Sequence, residues 1–309
     1  AQGQGIGTTG SGIGPAYEDK AARRGVRVAD LRSKDIQARL RARLVAANAE
    51  LAFLGAPEVA WEEVEEALSV AKRLLLPRAA DTARVVREAV RAGKRVLLEG
   101  AQGIMLDLDF GTYPFVTSSN TLPAAALSGL GVPWNAVDEI IGICKAYTTR
   151  VGAGPFPTEL YDGKTKLDPI GKHLAERGAE FGATTGRPRR TGWLDLVALR
   201  YAVQVGGMTM LAITKLDVLD GLDEVAVAVG YRLDGETIHE FPADAEALGR
   251  VEPIFERMPG WARTQGVRRW KELPREAQAF LDVIAEYVGV PVRIVSTGAE
   301  RSELLRVGD

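Results

Sequence analysis

The sequence is poor in the residues that build metal sites and disulfides. Of its 309 residues one is a cysteine, Cys144, and two are histidines, His173 and His239. A single cysteine excludes an intrachain disulfide and a cysteine-cluster metal site, and two histidines argue against a histidine-rich zinc site. His173 falls in a polar helical segment and His239 in a predicted hairpin, so we predict surface residues rather than catalytic bases. The near absence of cysteine is typical of a reducing compartment, and we predict a cytoplasmic protein.

Long apolar runs and a large net charge are also missing. No apolar stretch approaches the ~20 residues that span a bilayer, and the first residues lack a signal-peptide pattern. The formal net charge is −2, with 46% hydrophobic and 26% charged residues, as in ordinary soluble globular proteins. We therefore expect neither a membrane nor a nucleic acid among the partners.

Apolar residues at helical spacing predict a helical insertion at residues 30–93. Its three helices are expected at 33–54, 61–75 and 82–90, with Gly55, Pro77 and Gly93 as the stops. A short apolar run at 95–99 then predicts a buried strand that leads into a glycine-rich turn at 100–103.

The second half of the sequence alternates between strand and helix patterns. Buried strands are predicted at 146–151, 209–214 and 291–295, helices at 193–205 and 274–288, and a hairpin turned at Asp234-Gly235. We therefore predict an α/β fold, a single domain over residues 1–309, with a mainly parallel central sheet, flanking helices, the helical insertion and a hairpin towards the C-terminus. In such sheets ligands bind beyond the carboxyl ends of the strands.

The arginine segment, residues 182–193, has the sequence Gly-Ala-Thr-Thr-Gly-Arg-Pro-Arg-Arg-Thr-Gly-Trp. It places three arginines directly before a predicted helix, where positive charge opposes the helix dipole unless an anion is bound. A solvated basic turn is the alternative for an arbitrary arginine triplet. The neighbouring glycines and threonines favour an anion site, since glycine allows close approach of backbone and threonine supplies hydroxyl groups.

Thr214-Lys-Leu-Asp217 follows an apolar strand and resembles the Asn-Lys-x-Asp element of guanine-nucleotide proteins. A carboxylate at this position can accept hydrogen bonds from both the ring N–H and the exocyclic amine of guanine, while the lysine stem covers the base. A bare four-residue match is more often a surface Lys and Asp. Ser296-Thr-Gly298 also closes a predicted strand and offers backbone and hydroxyl donors for the same base, which favours guanine binding.

Further polar candidates lie in loops. Gln102 stands between glycines after the predicted strand, and Thr117 lies in a run too polar for a core. Residues 7–14 are glycine-rich like a phosphate cradle but lack the Gly-Lys-Ser/Thr ending of a P-loop. Asp107 and Asp109 are spaced as a carboxylate pair, although alternation along a strand or turn is the better interpretation than metal binding.

Taken together, these motifs resemble the adenylosuccinate synthetase family. The resemblance extends in order over nearly the whole chain and is carried by residues 7–20, 99–103, 111–120, 151–159, 182–193 and 214–221. It implies a P-loop-NTPase-like architecture and a GTP-dependent ligase that joins inosine monophosphate (IMP) to L-aspartate through a 6-phosphoryl intermediate. Magnesium as cofactor and a homodimer are also implied.

The resemblance assigns roles to individual residues. Those implied to bind IMP are Thr9, Arg23, Gln102, Thr117 and Arg187, with Arg23 reaching the nucleotide of the partner subunit. Those implied to bind aspartate are Ala183, Thr184, Thr185, Gly186, Arg187 and Arg189. Those implied to bind GTP are Arg189, Lys215, Leu216, Asp217, Ser296, Thr297 and Gly298.

The chain also departs from the family pattern. Relatives carry an earlier Gly-Asp-Glu-Gly-Lys-Gly-Lys loop, whose Asp is the base and a magnesium ligand, and a Gly-His element that stabilises the phosphoryl group in transfer. Neither is found in this sequence. We therefore expect the chain to represent the C-terminal three quarters of the family domain and to be inactive alone, because phosphoryl transfer depends on groups placed around the γ-phosphate. A non-catalytic guanine-nucleotide-binding module is the alternative.

Overall fold

The computed structural model describes residues 10–161, 168–181 and 189–308, and the chain divides into two units. One unit is Gly12–Val96, and the other is Leu97–Asp309 together with Ala1–Ser11. Thr9 and residues 183–187, which include predicted ligand contacts, lie outside the described residues.

The smaller unit is helical. It contains α1 (Ile13–Ala21), α2 (Ile36–Phe53), α3 (Trp61–Leu75) and α4 (Thr82–Arg91). The last three confirm the helices predicted from apolar spacing. Leu31, Ile36 and Leu68 form the small core of this unit. Asp81 caps α4 by accepting a hydrogen bond of 3.0 Å from the backbone N–H of Arg84, which satisfies one of the free donors at the helix start.

The larger unit combines helices and strands. Its helices are α5 (Pro123–Leu130), α6 (Pro169–Arg177), α7 (Leu196–Gly206), α8 (Ala245–Arg250) and α9 (Arg275–Val288). Its strands are β1 (Ile141–Lys145), β2 (Thr148–Arg150), β3 (Arg190–Gly192), β4 (Leu194–Asp195), β5 (Met210–Thr214), β6 (Glu224–Leu233), β7 (Glu236–Ile238), β8 (Glu252–Pro259), β9 (Val292–Ser296) and β10 (Leu304–Arg306). Over the described ranges, no helix combines the length and apolar character needed to cross a membrane.

The central sheet has the strand order β1-β5-β9-β10. Strands β1, β5 and β9 are parallel, and β10 runs antiparallel to β9. The prediction of a mainly parallel central sheet is therefore confirmed. Lys145 pairs with Thr214, and Ile213 pairs with Val295, so the three parallel strands end side by side.

The core lies between this sheet and the helices α7 and α9. Leu211 and Ile213 of β5 and Val295 of β9 are fully buried. They belong to the same apolar cluster as Leu196 of α7 and Phe280 of α9. Burial of each such side chain contributes roughly 1.5–3 kcal/mol to the free energy of unfolding. The strands that carry the candidate site are therefore held firmly by the core.

A second sheet contains the predicted hairpin. Strand β6 pairs antiparallel with β7 and β8 and parallel with β4. Asp234 and Gly235 connect β6 to β7 with φ values of 50° and 93°, the positive values that a tight hairpin turn requires. The Asp-Gly signal in the sequence therefore predicted this turn correctly.

The strand predicted at 95–99 is wrong. The structure assigns no strand to these residues, and the side chain of Leu97 is 84% exposed. An apolar run becomes a strand only where a neighbouring strand satisfies its backbone hydrogen bonds. In the described part of the chain no strand pairs with this run.

The strand predicted at 146–151 is displaced. The sheet strand is β1, which ends at Lys145, and the chain then turns so that β2 pairs antiparallel with β3 in a separate two-stranded sheet. The helix predicted at 193–205 begins later, at Leu196, because Asp195 is its N-cap and accepts the backbone N–H of Ala198 at 3.0 Å.

Candidate functional site

Two predicted guanine contacts meet at one edge of the central sheet. Lys215 and Asp217 follow β5, and the turn 296–298 follows the adjacent β9. Because Ile213 pairs with Val295 in parallel register, the carboxyl ends of both strands lie next to each other. This is the edge at which α/β sheets bind ligands.

Lys215 is fixed by the protein rather than pointing into solvent. Its backbone has a φ of 60°, and its Nζ donates to the carbonyl of Gly178 at 2.6 Å and to Oε1 of Glu180 at 2.8 Å. The next residue, Leu216, is fully buried and anchors the turn in the core. With its ammonium held in this way, the hydrocarbon stem of Lys215 is the part of the side chain available to cover a base.

Asp217 carries the carboxylate expected to read guanine. The side chain is half-buried, and in the described part of the chain it accepts a hydrogen bond from its own backbone N–H. Burial raises its pKa, and the nearby Asp220 raises it further. A partly desolvated carboxylate with so few donors is suited to accept two hydrogen bonds from a ligand.

Asp220, three residues later, stabilises a neighbouring loop through hydrogen bonds. Its buried carboxylate accepts hydrogen bonds from Trp261 Nε1 at 3.0 Å, from the backbone N–H and hydroxyl of Thr264, each at 2.7 Å, and from the backbone N–H of Gln265 at 3.1 Å. Gly266 N–H in turn donates to the carbonyl of Thr297. Asp220 thus ties the loop around residue 264 to both candidate guanine turns.

The hydroxyl groups of the second turn are already engaged. Ser296 Oγ donates to the carbonyl of Gly298 at 2.9 Å, and Thr297 Oγ1 donates to the carbonyl of Val267 at 2.8 Å. A Cβ placed on Gly298 would lie 2.2 Å from the Glu303 carboxylate, so a larger residue there would require the Glu303 side chain to shift. In this conformation the turn offers a ligand its backbone groups rather than its hydroxyl hydrogens.

A buried carboxylate, Glu180, joins the residues around this edge. Its Oε2 lies 2.8 Å from Nζ of Lys145 and 2.8 Å from Nη1 of Arg189, and its Oε1 lies 2.8 Å from Nζ of Lys215. The hydroxyl of Tyr147 donates to the same carboxylate. Burial by itself raises the pKa of Glu180, but these four donors outweigh it and lower the pKa to about 2.

The arginine segment differs from its prediction where it is described. Helix α7 begins at Leu196 with Asp195 as its cap, and Arg190 lies in strand β3. Arg190 forms a two-pronged ion pair with Glu159, with distances of 2.7 and 2.5 Å. The premise that the helix begins at residue 193 is therefore wrong, and the cap of α7 is Asp195. That the arginine segment binds an anion stays a prediction.

Two of the predicted IMP contacts, Gln102 and Thr117, touch each other. Gln102 Nε2 donates to Oγ1 of Thr117 at 3.1 Å, and the backbone of Gln102 has a φ of 67°. The backbone N–H of Thr117 donates to the carbonyl of Leu106 at 2.9 Å. Two residues that are 15 positions apart in the sequence are thus in direct contact. That they bind the same ligand stays a prediction.

The loop that carries Thr117 is organised by Asp107. This fully buried carboxylate accepts backbone N–H groups of Asp109, Phe110, Thr121 and Leu122 at 3.0, 3.1, 2.5 and 3.1 Å. Burial raises the pKa of Asp107, but these hydrogen bonds outweigh it and the net pKa is lowered. The interpretation of Asp107 as a turn residue rather than a metal ligand is consistent with these partners.

Three other residues that the sequence analysis discussed are Arg23, His173 and His239. Arg23 lies in the helical unit, just after α1, with a φ of 60°. His173 is half-buried, and its Nε2 lies 2.9 Å from the carbonyl of Val218. His239 is exposed. Within residues 10–161, 168–181 and 189–308, no group of three or more His, Cys, Asp or Glu side chains could hold a metal ion.

The sequence reasoning missed Glu180, Lys145 and Tyr147. Glu180 lies two residues before the arginine segment, and Lys145 ends the apolar run of β1. Two signals in the sequence could have indicated these residues. One is an acidic residue close to several arginines, and the other is a lysine at the end of a strand. Their mutual contact was not predictable, because it depends on the pairing of β1 with β5.

Comparisons with known proteins point to one family. The family model described as adenylosuccinate synthetase matches residues 1–305. Adenylosuccinate synthetases of Halorhodospira halophila and Polynucleobacter asymbioticus are 50% and 52% identical over 304 and 306 residues. These matches cover 97% of this chain and 69% and 68% of the two relatives.

A solved structure agrees with the sequence matches. The fully ligated adenylosuccinate synthetase of Plasmodium falciparum superimposes with a TM-score of 0.90 at 34% identity. The match covers 97% of this chain and 70% of that one. The fold and the sequence therefore lead to the same family.

Proposed function

Because the chain belongs to the adenylosuccinate synthetase family, we propose that it takes part in the GTP-dependent joining of IMP and L-aspartate to adenylosuccinate. The family is one of carbon–nitrogen ligases in purine biosynthesis. The observation that carries the guanine part of the proposal is the pairing of β5 with β9, which sets the turn 215–217 beside the turn 296–298.

The proposed chemistry has two steps. The γ-phosphoryl group of GTP passes to O6 of IMP, which leaves GDP and makes the oxygen a good leaving group. The amine of aspartate then attacks C6, the C6–O bond breaks, inorganic phosphate departs and the amine loses a proton. The described residues serve binding and orientation in this scheme, since positioned groups make the reacting atoms meet.

On the guanine side, the carboxylate of Asp217 accepts the ring N–H and the exocyclic amine of the base. The stem of Lys215 covers one face, and Leu216 fixes the turn. The backbone of residues 296–298 lies along another edge. This arrangement favours guanine over adenine, because adenine has no donor at the ring position that Asp217 would meet.

On the IMP side, the contact between Gln102 and Thr117 supports a shared binding surface. Thr9 and Arg187 are proposed to complete it, and residues 183–189 are proposed to bind aspartate, with Arg189 also near GTP. Arg23 is proposed to reach the IMP of a partner subunit in a homodimer. A cytoplasmic location completes the proposal.

The proposal includes magnesium only because the family resemblance implies it. The described residues contain no cluster of three or more side chains suited to a metal ion, so they do not fit the role of its ligands. We therefore assign no ligand and no step to magnesium among these residues.

The activity is tested with the intact protein, its mass established by mass spectrometry. Adenylosuccinate should form only when GTP, IMP, aspartate and magnesium are all present, and product without aspartate would refute the proposed reaction. The expectation that residues 1–309 alone are inactive is tested by assaying that chain in parallel.

The guanine assignment is tested by Asp217→Asn. The variant keeps the size of the side chain, but its amide NH2 would face an N–H donor of guanine. The free energy of GTP binding should therefore weaken by roughly 1–3 kcal/mol. The preference for GTP over ATP in kcat/KM should fall accordingly. Asp223→Asn, an exposed carboxylate in the following loop, is the matched control and should leave both values unchanged. Unchanged GTP binding in Asp217→Asn would contradict the assignment.

A further inference from the structure

Two arginines lie opposite each other in the small sheet of β2 and β3. Arg150 of β2 is the register partner of Arg190 of β3 in this antiparallel pair. Like charges directly opposite each other on neighbouring strands are destabilising. The small sheet therefore concentrates positive charge at one place, and only an anion can balance it.

The charge of Arg190 is balanced within the protein. Its Nε and Nη2 donate to the two carboxylate oxygens of Glu159 at 2.7 and 2.5 Å. Its Nη1 donates to the carbonyls of Gly152 and Gly154 at 3.2 and 2.8 Å. All three nitrogens of this guanidinium are thus engaged, and the carboxylate of Glu159 neutralises it.

The charge of Arg150 has no such counter-ion. Its Nε donates to the carbonyl of Ala153 at 3.0 Å, and its Nη2 donates to Oγ1 of Thr112 at 3.1 Å and to the carbonyl of Phe115 at 3.2 Å. All three acceptors are uncharged. Within the ranges that the structure describes, Arg150 forms no ion pair, and its Nη1 forms no hydrogen bond.

The guanidinium of Arg150 is half-buried, and its unused corner still reaches solvent. Burial, and to a lesser degree the charge of Arg190, lowers the pKa of Arg150 to about 10. The group is therefore charged at neutral pH, and an anion beside it would favour that charged form. Among the described residues, the one buried side-chain nitrogen or oxygen without a hydrogen bond is Nε1 of Trp61, so Nη1 of Arg150 remains accessible.

Arg150 also contacts the loop that is proposed to bind the nucleotide. Thr112 and Phe115, which accept its Nη2, lie in the same loop as Thr117. A planar guanidinium that is held through Nε and Nη2 presents the N–H groups of Nη1 in a fixed direction. Such a group binds a phosphate at little cost in side-chain entropy, because the side chain is already ordered.

We propose that Arg150 is an anion-binding residue of the nucleotide site, and that its Nη1 donates to the phosphate of IMP, which supplies the missing counter-charge. This inference rests on the proposed function, since it takes IMP as the ligand of the loop around Thr117. Gln102 and Thr117 offer uncharged groups to the nucleotide. Arg150 adds a charge-assisted hydrogen bond, and this contribution requires the ionised phosphate.

The role of the charge is tested by comparing IMP with inosine, which lacks the phosphate. IMP is titrated into the intact protein by calorimetry, and inosine binding is measured by its competition with IMP. Arg150→Gln removes the charge and keeps an amide that can hydrogen-bond the loop. It should weaken IMP binding about tenfold, as expected for a lost charge-assisted hydrogen bond, and change inosine binding by less than about twofold. Equal weakening of both ligands would show that Arg150 merely holds the loop, and it would overturn the inference.

Arg150→Lys carries the test if Arg150→Gln does not fold. It keeps the charge, but it has no planar fork that could hold the loop and reach the phosphate together, so IMP binding should weaken about threefold and inosine binding should not change. No loss of IMP affinity, or an equal loss for inosine, would contradict the role of Nη1.

Arg232→Gln is the matched control. Arg232 is an exposed arginine of β6 whose register partner in β8 is Glu252. The substitution removes the same charge at a place where a carboxylate lies opposite. IMP binding should therefore stay within about twofold of the wild type, as is usual for surface substitutions. A tenfold loss in this variant too would trace the effect to net charge and overturn the inference.

The carboxylates of aspartate are the other anions that Arg150 could meet. Aspartate binding in the presence of saturating IMP should stay within about twofold in Arg150→Gln. A loss of aspartate affinity with unchanged IMP affinity would place a carboxylate at Nη1 and overturn the assignment to the phosphate. Unchanged binding of both ligands would overturn the inference alone, whereas failure of the wild-type protein to bind IMP would overturn the proposed function as well.

Discussion

The buried cap of α7 makes a quantitative prediction about stability. Asp195 is 4% exposed and accepts the backbone N–H of Ala198 at 3.0 Å and the hydroxyl of Tyr231 at 2.7 Å. Burial raises its pKa from 3.8 to about 6, although these hydrogen bonds act in the opposite direction. The folded protein therefore holds this carboxylate in its charged form at a cost.

The sign follows from proton binding. The folded state protonates Asp195 near pH 6 and the unfolded state near pH 3.8, so between these values the folded state holds more protons. Stability from this group is therefore fully present below the lower value and is lost as the pH rises through about 6. The difference of about 2 pKa units corresponds to about 3 kcal/mol at neutral pH and above.

Asp195→Asn should remove this cost. The amide oxygen still accepts the N–H of Ala198, and the amide nitrogen can donate to the hydroxyl of Tyr231. We expect the variant to exceed the wild type in free energy of unfolding by up to about 3 kcal/mol near pH 8, with the difference vanishing below about pH 4. Urea unfolding followed by tryptophan fluorescence measures it, since Trp193 is buried two residues away.

Asp195→Ala is the control for the cap itself. It removes the acceptor as well as the charge and leaves the hydroxyl of Tyr231 without its partner, so the gain should be offset by about 1 kcal/mol or more. A difference between Asp195→Asn and wild type that does not vary with pH would refute the explanation by burial, as would a less stable Asp195→Asn at alkaline pH.

Two further predictions concern the subunit contact and the core. Arg23→Leu should raise the KM for IMP without lowering the thermal midpoint, and mixing it with an Arg187→Leu variant should restore activity if subunits share sites; no recovery in the mixture would make the shared site untenable. Leu211→Ala, at a fully buried position of β5, should cost roughly 2–5 kcal/mol in urea unfolding, and a loss below about 1 kcal/mol would show that the core adapts to the cavity.

Local signals in the sequence predicted the parts of the fold that depend on local chemistry. Asp234-Gly235 predicted its turn because few other dipeptides accept two positive φ values. The runs that became β5 and β9 were identified because each is largely apolar and is followed by a polar turn. The run at 95–99 looked similar, but a strand also needs a neighbour, and that is a property of the assembled sheet.

In the candidate site, too, some features were predictable from local sequence and others depend on tertiary packing. Lys215, Asp217 and the turn 296–298 were selected because each follows a strand, and the register of β5 with β9 places them together. The contact of Gln102 with Thr117 also joins two predicted residues. The role of Glu180 was out of reach, since its partners are separated from it in sequence and meet only through tertiary packing.

The network around Asp107 has a consequence for the cost of recognition. Four backbone N–H groups of the loop around Thr117 are already bound to one buried carboxylate. A nucleotide that contacts Thr117 therefore meets a loop whose shape is set beforehand, and it avoids the roughly 1–2 kcal/mol per residue that ordering a mobile backbone requires. The binding free energy at that surface then reflects the contacts with the nucleotide, and little of it is lost as conformational entropy of the loop.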